Sequence, residues 1–245
     1  MNSQTIYPLQ INGSMTVPGG TFSHVGINGS GRITSDCQCE EFSVNGNAQI
    51  SGSVTAKEIE VNGKAAFHGK MKADDIHING KAEVKGELKA NTVVIHGHLE
   101  AEGDVSSESF ISKGKTVIKG NCETEVFVSK GVINITELLN ADSIEIKLNT
   151  DGYIKEIGGG EITIKREAVH NVFFDKLLSV LSSSKPTGLK AEMIEGDRIY
   201  MEYCTVGTVR GTDIEIGPGC SIGRLEFGND PKIDGTSTVK EKCRI

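Results

Sequence analysis

Cysteines and histidines are the residues of this chain whose types and spacing could do chemistry. In the stretch Cys-Gln-Cys, Cys37 and Cys39 stand two residues apart, as the two ligands of half a zinc site would. In His-Gly-His, His96 and His98 have the same spacing, and on a strand they would project from one side. Each pair is therefore a candidate for metal binding, and its interpretation depends on the element that carries it.

Two further stretches resemble elements of enzymes. The sequence "IGPGCSIG", residues 216–223, is similar to the hexapeptide repeats of left-handed β-helix acyltransferases. Those enzymes need three six-residue repeats in each coil and a histidine base between subunits. The run of three glycines at 158–160 lacks the Lys-Ser/Thr and helix start of a phosphate loop, so it predicts a turn. None of the six histidines is set beside an evident nucleophile or orienting acid. They are His24, His68, His77, His96, His98 and His170.

A repeat of constant length organises most of the chain. Its clearest marker is a glycine that recurs at every seventeenth position, without insertion or deletion: Gly29, Gly46, Gly63, Gly80, Gly97, Gly114 and Gly131. Apolar residues recur on the same period at alternating positions, which is typical of half-buried strands. One column includes Ile59, Ile76 and Val93, and another includes Val54, Met71, Leu88 and Val105. We predict that both columns are ladders inside the fold.

Three short strands in each repeat describe one coil of a triangular β-solenoid. A single coil cannot bury its apolar side, so the sequence has to repeat. Glycine and asparagine tolerate the left-handed backbone of a tight bend, and we expect that conformation at the corners. Cys37 and Cys39 fall at inward positions, which favours buried thiols over a zinc site. His96 and His98 fall at outward positions, which favours a surface pair.

The pattern changes after residue 139. Residues 167–186 carry apolar residues at helical spacing and end at a serine run and a proline, which predicts one amphipathic helix packed against the solenoid. Residues 196–228 return to strand pairs, either as a second short solenoid or as a continuation of the first. The tail, 229–245, is polar, and we expect it to be poorly ordered. The predicted units are 1–165, 166–186 and 187–245.

Charge and composition exclude several functional classes. The net charge is −7 and no basic patch is evident, so nucleic-acid binding is not expected. The six cysteines show no spaced disulfide framework, which favours a reducing cytoplasm. No apolar run reaches the length of a spanning helix, roughly 18 residues. No cofactor and no metal are expected.

The coils "IEVNGKAAFHGKMKA" (59–73) and "IHINGKAEVKGELKA" (76–90) resemble the bactofilins, the polymer-forming bacterial cytoskeletal proteins. The resemblance covers residues 9–147, and 194–228 is similar to the C-terminal part of longer Bacillus-type members. It implies a right-handed parallel β-helix that assembles end to end into nucleotide-independent filaments. It also implies a non-enzymatic scaffold in cell shape, polar organisation or flagellar motility, with itself or a paralogous bactofilin as partner. The hexapeptide acyltransferase is the alternative.

The open ends of the solenoid are the predicted assembly sites. An end coil exposes unpaired backbone groups and a slice of apolar core, and joining two ends removes both liabilities. The candidate polymerisation edge consists of Ile6, Leu9, Ile11, Val17 and Phe22. The first ten residues offer few apolar side chains for membrane attachment, so association with the inner face of the membrane is left open but not indicated.

Overall fold

The computed structural model describes residues 6–167 and 188–245. The chain is all-β in these residues and winds through about 13 turns of a right-handed parallel β-helix, with every strand in one continuous sheet. Period-2 alternation produces this fold because each short strand turns one side inward and each corner begins a new strand. The predicted fold class is confirmed. The amphipathic helix predicted for 167–186 lies outside the described residues from 168 onward, and its separation as a unit stays a prediction.

The first twenty strands are short: β1 (Leu9–Ile11), β2 (Ser14–Val17), β3 (Gly20–Thr21), β4 (His24–Ile27), β5 (Ser30–Ile33), β6 (Cys37–Gln38), β7 (Glu41–Val44), β8 (Asn47–Ile50), β9 (Val54–Thr55), β10 (Glu58–Val61), β11 (Lys64–Phe67), β12 (Met71–Lys72), β13 (Asp75–Ile78), β14 (Lys81–Val84), β15 (Leu88–Lys89), β16 (Thr92–Ile95), β17 (His98–Ala101), β18 (Val105–Ser106), β19 (Ser109–Ser112) and β20 (Lys115–Ile118). Eight strands follow, several of which continue around a corner: β21 (Cys122–Ser129), β22 (Val132–Leu148), β23 (Gly152–Arg166), β24 (Leu189–Met201), β25 (Cys204–Ile216), β26 (Ser221–Phe227), β27 (Lys232–Ile233) and β28 (Thr238–Arg244).

Three flat faces result from this winding. Face 1 begins with β1, β4, β7, β10, β13, β16 and β19; face 2 with β2, β5, β8, β11, β14, β17 and β20; and face 3 with β3, β6, β9, β12, β15 and β18. The strands from β21 onward continue the three faces. Neighbouring coils pair in parallel and in step, so Ile59 lies beside Ile76 and Met71 beside Leu88. Like residues therefore stack on like residues.

The interior is a set of aliphatic ladders. The structure places the predicted ladder residues there with no more than 1% of their surface exposed, namely Ile59, Ile76, Val93, Val54, Met71, Leu88 and Val105. Phe110 and Phe127 stack in adjacent coils with ring centroids 5.3 Å apart. Ser112 and Thr116 are also buried, and their hydroxyl oxygens form a hydrogen bond of 2.8 Å. This pair is a polar contact in a largely apolar interior, and it joins a column of face 1 to a column of face 2.

The predicted left-handed backbone at the glycine corners is wrong. Among the described glycines, only Gly20 and Gly219 have φ between +20° and +160°. The recurring glycines lie at the corner between faces 1 and 2, where successive coils approach too closely for a side chain. A Cβ on Gly80 would overlap the carbonyl oxygen of Gly63, and the same overlap recurs up the column. Glycine is required there by stacking, because the coil spacing is fixed by strand pairing.

An asparagine ladder runs beside the corner glycines and was not predicted. The side-chain amide of each asparagine donates to the amide oxygen of the one in the preceding coil, at 2.8 Å for Asn28–Asn12 and 3.0 Å for Asn62–Asn45. The series continues to Asn79 and ends at His96, whose Nδ1 lies 3.1 Å from the Asn79 oxygen. These bonds satisfy side-chain polar groups along one edge of the solenoid.

The C-terminal strands continue the same solenoid. β24 pairs in parallel with β23 from Gly152–Leu189 to Ile164–Met201, so the chain resumes the coil after residue 187. The regular spacing of partners is lost, because Ile144 pairs with Ile162 and Ile199 with Ile214. The expectation of a poorly ordered tail is wrong, because β28 pairs along its length with β26.

Candidate assembly surfaces

The N-terminal end of the solenoid is an apolar open coil. β1, β2 and β3 each pair with a strand of the next coil only, within the described residues, so their other edges are free. Leu9 and Val17 take the inward positions that Val25 and Ile33 hold in the next coil. Met15, beside Gly31, has 51% of its surface exposed. An end of this kind combines unpaired strand edges with uncovered apolar side chains.

The predicted edge residues differ in how much they expose. Ile11 is 1% exposed and belongs to the interior, whereas Leu9, Val17 and Phe22 are half-buried. Ile6 precedes β1 with 49% of its surface exposed. The structure therefore brings these five together at one end and adds two apolar residues that the sequence interpretation did not include, Met15 and the 70% exposed Tyr7.

The C-terminal end is polar. In its last coil, Lys242 takes the position that Leu225 holds in the coil before, so a charged side chain stands where the interior column would continue. Val239, beside Ile222 in the following coil, is the half-buried residue of β28, and the rest of that strand is exposed. Charged residues at inward positions discourage a strand edge from recruiting another strand. The two ends thus differ in chemistry.

A buried carboxylate ties the last coils together. Glu226 has only 10% of its side chain exposed and accepts hydrogen bonds from Arg210 Nε at 2.6 Å and from Arg224 Nε at 2.7 Å. The hydrogen bond from Arg210, and then that from Arg224, holds the pKa of Glu226 below its usual range. Both bonds favour the ionised carboxylate, so they stabilise the folded end at neutral pH.

Replacing Glu226 with glutamine is expected to lower the melting temperature of the protein at pH 7. Because the pKa of Glu226 is lowered by folding, its contribution is present above the ordinary glutamate value of about 4.3 and is lost as pH falls through the folded-state pKa. The difference in melting temperature between wild type and variant should therefore shrink in acid. Circular dichroism melts measure this, with exposed Glu192→Gln as the control. A difference that persists in acid would contradict the assignment.

Comparison with known proteins identifies the family of this chain. A family model described as Bactofilin, polymer-forming cytoskeletal, matches residues 5–87. The uncharacterized protein YhbE of Bacillus subtilis (strain 168) is 53% identical over 238 residues, which cover 97% of this chain and 98% of YhbE. The chain belongs to the bactofilin family. The uncharacterized protein YhbF of the same organism is 41% identical over 109 residues, which cover 44% of this chain and only 42% of YhbF. No solved structure matches.

Membership of a structural, polymer-forming family implies self-assembly. The two open ends of the solenoid are therefore candidate surfaces for contact between subunits. Within the ranges 6–167 and 188–245, no helix has the length and apolar character needed to cross a membrane. The same residues contain no cluster of three or more His, Cys, Asp or Glu side chains arranged to hold a metal ion.

The Cys-Gln-Cys pair lies at inward positions on face 3. Both thiols are buried, Cys37 at 2% and Cys39 at 8% exposure. A hydrogen bond between the two lowers the pKa of Cys37 and raises that of Cys39, and burial adds to the increase for Cys39. These are packed thiols, and they lie in the interior columns that continue with Val54 and Ala56.

The histidine pair does not share one strand, so that prediction is wrong. His96 lies at the corner after β16 and ends the asparagine ladder, whereas His98 begins β17 on face 2. Burial, followed by the charges of Lys115 and Lys81, lowers the pKa of His98, which favours the neutral ring. The corner glycine between them separates the two rings into different surroundings. His170 lies outside the described residues.

Two other enzyme-like stretches are parts of coils. Residues 158–160 lie within β23 and do not form the predicted turn, and a Cβ on Gly159 would overlap the carbonyl oxygen of Ala141 in the coil below. Residues 216–223 include a corner with Gly219 at φ 72° and place Cys220 in the interior. Both stretches are explained by the close stacking and bending of coils.

Proposed function

We propose that this chain is a non-enzymatic cytoskeletal subunit that assembles end to end, without nucleotide, into filaments in the cytoplasm. The observation that carries the proposal is the open N-terminal coil, with Met15, Ile6 and Tyr7 exposed beside free strand edges. Burial of that apolar surface favours association. Such a filament would act as a scaffold for cell shape, polar organisation or flagellar motility, alone or with a paralogous bactofilin.

The difference in polarity between the two ends favours a joint between the N-terminal ends of two copies. Pairing the apolar end with the C-terminal coil would press Met15 and Leu9 against Lys242, whose charge would lose water without gaining a partner. Two N-terminal ends related by a two-fold axis avoid that cost and pair their free strand edges. The resulting unit has a polar coil at both of its ends.

A second joint between C-terminal ends would extend such units into a filament. The last coil carries cations and anions side by side, with Lys240, Lys242 and Arg244 near Asp234 and Glu241 on a mostly exposed surface. A two-fold contact between such ends can pair opposite charges, and it weakens as ionic strength rises. The filament would alternate an apolar joint with a polar one and would have no overall direction.

Replacing Met15 with glutamate is expected to abolish long filaments. The new carboxylate would be buried in the apolar joint opposite its own copy, and each such charge costs several kcal/mol, about a thousandfold or more in association. Negative-stain electron microscopy of the purified protein without nucleotide or metal measures filament length. Thr16→Glu is the matched control, because Thr16 lies on the same strand, is exposed and faces outward.

Filaments of Met15→Glu as long as those of the wild type would contradict the proposed joint. Filaments absent from both wild type and Thr16→Glu would contradict the scaffold function itself. The alternative function, a hexapeptide acyltransferase, predicts discrete trimers in the same images. It is disfavoured by the right-handed winding and by the coil period of the first part of the solenoid. Coils there repeat at every seventeenth position, whereas those enzymes use left-handed coils of three hexapeptides.

A further inference from the structure

A short stripe of aliphatic side chains lies on the outside of face 1, where other coils carry polar residues. The outward position held by Ser43, Glu60 and His77 is held by Val94, Ile111 and Val128 in the next three coils. Val126, one outward position earlier on the same face, is 42% exposed. Val94, Ile111, Val126 and Val128 are here called the aliphatic stripe. After it, the column returns to polar residues at Glu145.

The stripe is confined to the middle of the solenoid, away from both ends. It spans three stacked coils, about 10 Å from the first to the last at the usual strand spacing. Ile111 belongs to the seventh strand of face 1 among about 13 coils, roughly 30 Å from either end. Contacts at the ends of the solenoid therefore cannot cover it.

Opposite charges border the stripe on its two sides. On the side where the chain enters face 1 stand Glu108 and Glu125, and on the side where it leaves stand Lys113 and Lys130. None of these four forms a salt bridge with another residue of the described chain. Elsewhere on the surface, charges of neighbouring coils do pair, as in Lys57–Glu40 at 2.9 Å and Lys119–Glu100 at 3.0 Å.

We propose that the aliphatic stripe is a lateral contact between two copies of this chain that lie side by side and point in the same direction. A two-fold axis parallel to the solenoid axis would place face 1 of one copy against face 1 of the other, with equal coils at equal height. The rotation reverses the strand direction, so the acidic border of each copy faces the basic border of its partner. Glu108 then stands opposite Lys113, and Glu125 opposite Lys130.

The opposite orientation of the two copies is disfavoured by the same charges. A two-fold axis parallel to the strands would point the solenoids in opposite directions and place lysine against lysine and glutamate against glutamate. Like charges brought together across an interface are repelled, and this repulsion selects against wrong arrangements. The charge pattern therefore favours a second copy of this chain as the partner, with its solenoid axis pointing in the same direction.

The contact is small and would be weak between isolated subunits. Three coils of one face are far below the roughly 800 Å² per partner of a stable protein interface. A contact repeated along two parallel filaments gains from multivalency, because each further pair forms at high effective concentration. The contact itself lies on the side of the solenoid and does not depend on how the ends associate.

Thiol cross-linking tests the arrangement directly. The chain has one exposed cysteine among those described, Cys243, so Cys243→Ser gives a suitable background. Glu108→Cys and Lys113→Cys proteins, mixed and treated with a short bismaleimide, are expected to yield a cross-linked dimer with one copy of each. Each variant alone should yield about tenfold less. Dimer formed mainly by either variant alone, or no dimer from the mixture, would overturn the proposal.

Substitutions on the stripe and its borders give an independent test. When Ile111→Glu is added to both cross-linking variants, the yield of dimer should fall about tenfold, because a desolvated carboxylate opposes the contact. Val117→Glu, which lies on face 2, is the control and should leave the yield unchanged.

The double variant Lys113→Glu and Lys130→Glu should abolish lateral pairs of filaments in electron micrographs. Adding Glu108→Lys and Glu125→Lys should restore them, because each border then faces its opposite again. A stripe covered by the chain's own residues or by another protein would leave all of these readouts unchanged, and the proposal would be wrong.

Discussion

The Leu88→Asp variant is expected to lose its cooperative melting transition or to melt far below the wild type. Leu88 is fully buried on face 3 between Met71 and Val105, with no polar partner for a carboxylate. Deleting a buried leucine side chain costs about 2–5 kcal/mol, and a buried unpaired charge adds to that cost. Each coil supports both of its neighbours, so the damage spreads along the solenoid. Circular dichroism as a function of temperature measures the loss.

Lys85→Asp is the matched control for Leu88→Asp. Lys85 lies in the same coil and is exposed, so the same new carboxylate stays in water. The change in the free energy of unfolding should stay within about 0.5 kcal/mol. If Leu88→Asp melted like this control, the assignment of Leu88 to an interior ladder would be wrong.

The Gly80→Ala variant is expected to be destabilised by about 3 kcal/mol, although the substitution adds a single methyl group. That methyl would overlap the carbonyl oxygen of Gly63 and approach that of Asn62, both of them backbone atoms. Relief requires two coils to separate locally, which weakens the parallel pairing on both sides of the corner. Chemical denaturation with urea measures the change in the free energy of unfolding.

Gly13→Ala separates this stacking effect from the general effect of alanine on the chain. Gly13 is the first member of the same column among the described residues, and a Cβ there would meet nothing within 4 Å. Its variant should be as stable as the wild type or more stable by up to about 1 kcal/mol, because alanine restricts the unfolded chain. Equal losses at Gly13 and Gly80 would show that crowding between coils is not the reason for the glycines.

The regular coils could be predicted because one spacing fixes every contact. With partners always one repeat apart, the neighbours of Ile59 are known as soon as the period is known. The C-terminal coils resisted prediction because their partners are spaced unequally, as for Ile144–Ile162 and Ile199–Ile214. When coil lengths vary in this way, equivalent apolar residues no longer recur at one fixed spacing in the sequence. The sequence therefore left open whether these strands continue the solenoid.

The ends were predicted only in part. Leu9 and Val17 could be assigned to the N-terminal edge because they fall in the apolar columns. Met15 was missed because the equivalent positions in the following coils are Gly31 and Ala48, which mark no hydrophobic column. The polar end could not be recognised, since Lys242 reveals its inward position only through its pairing with Leu225.

The reason for the glycine corners was also beyond the sequence. Glycine followed asparagine in most coils, which is typical of tight turns, and the pattern indicated a special backbone conformation. The close approach of successive coils at this corner is the reason for glycine instead. That distance is known only from the three-dimensional structure. The asparagines carried the complementary signal, because five of them recur once per coil, with one step of 16 residues and three of 17, and can bond to one another: Asn12, Asn28, Asn45, Asn62 and Asn79.

The buried contact between Ser112 and Thr116 bears on how the chain finds its register during folding. A solenoid of near-identical coils can be wound one coil out of step and still place aliphatic residues against aliphatic residues, so the apolar interior alone discriminates weakly. The equivalent positions one coil earlier are Ile95 and Leu99. Because Ser112 and Thr116 lie four residues apart in one coil, a slipped chain would carry both hydroxyls together and keep their 2.8 Å hydrogen bond. The pair therefore lets this coil bury two polar side chains without fixing which coils become its neighbours. Register depends on contacts that differ from coil to coil, such as the stacking of Phe110 on Phe127, which a slip of one coil would replace with Phe110 beside Ile144.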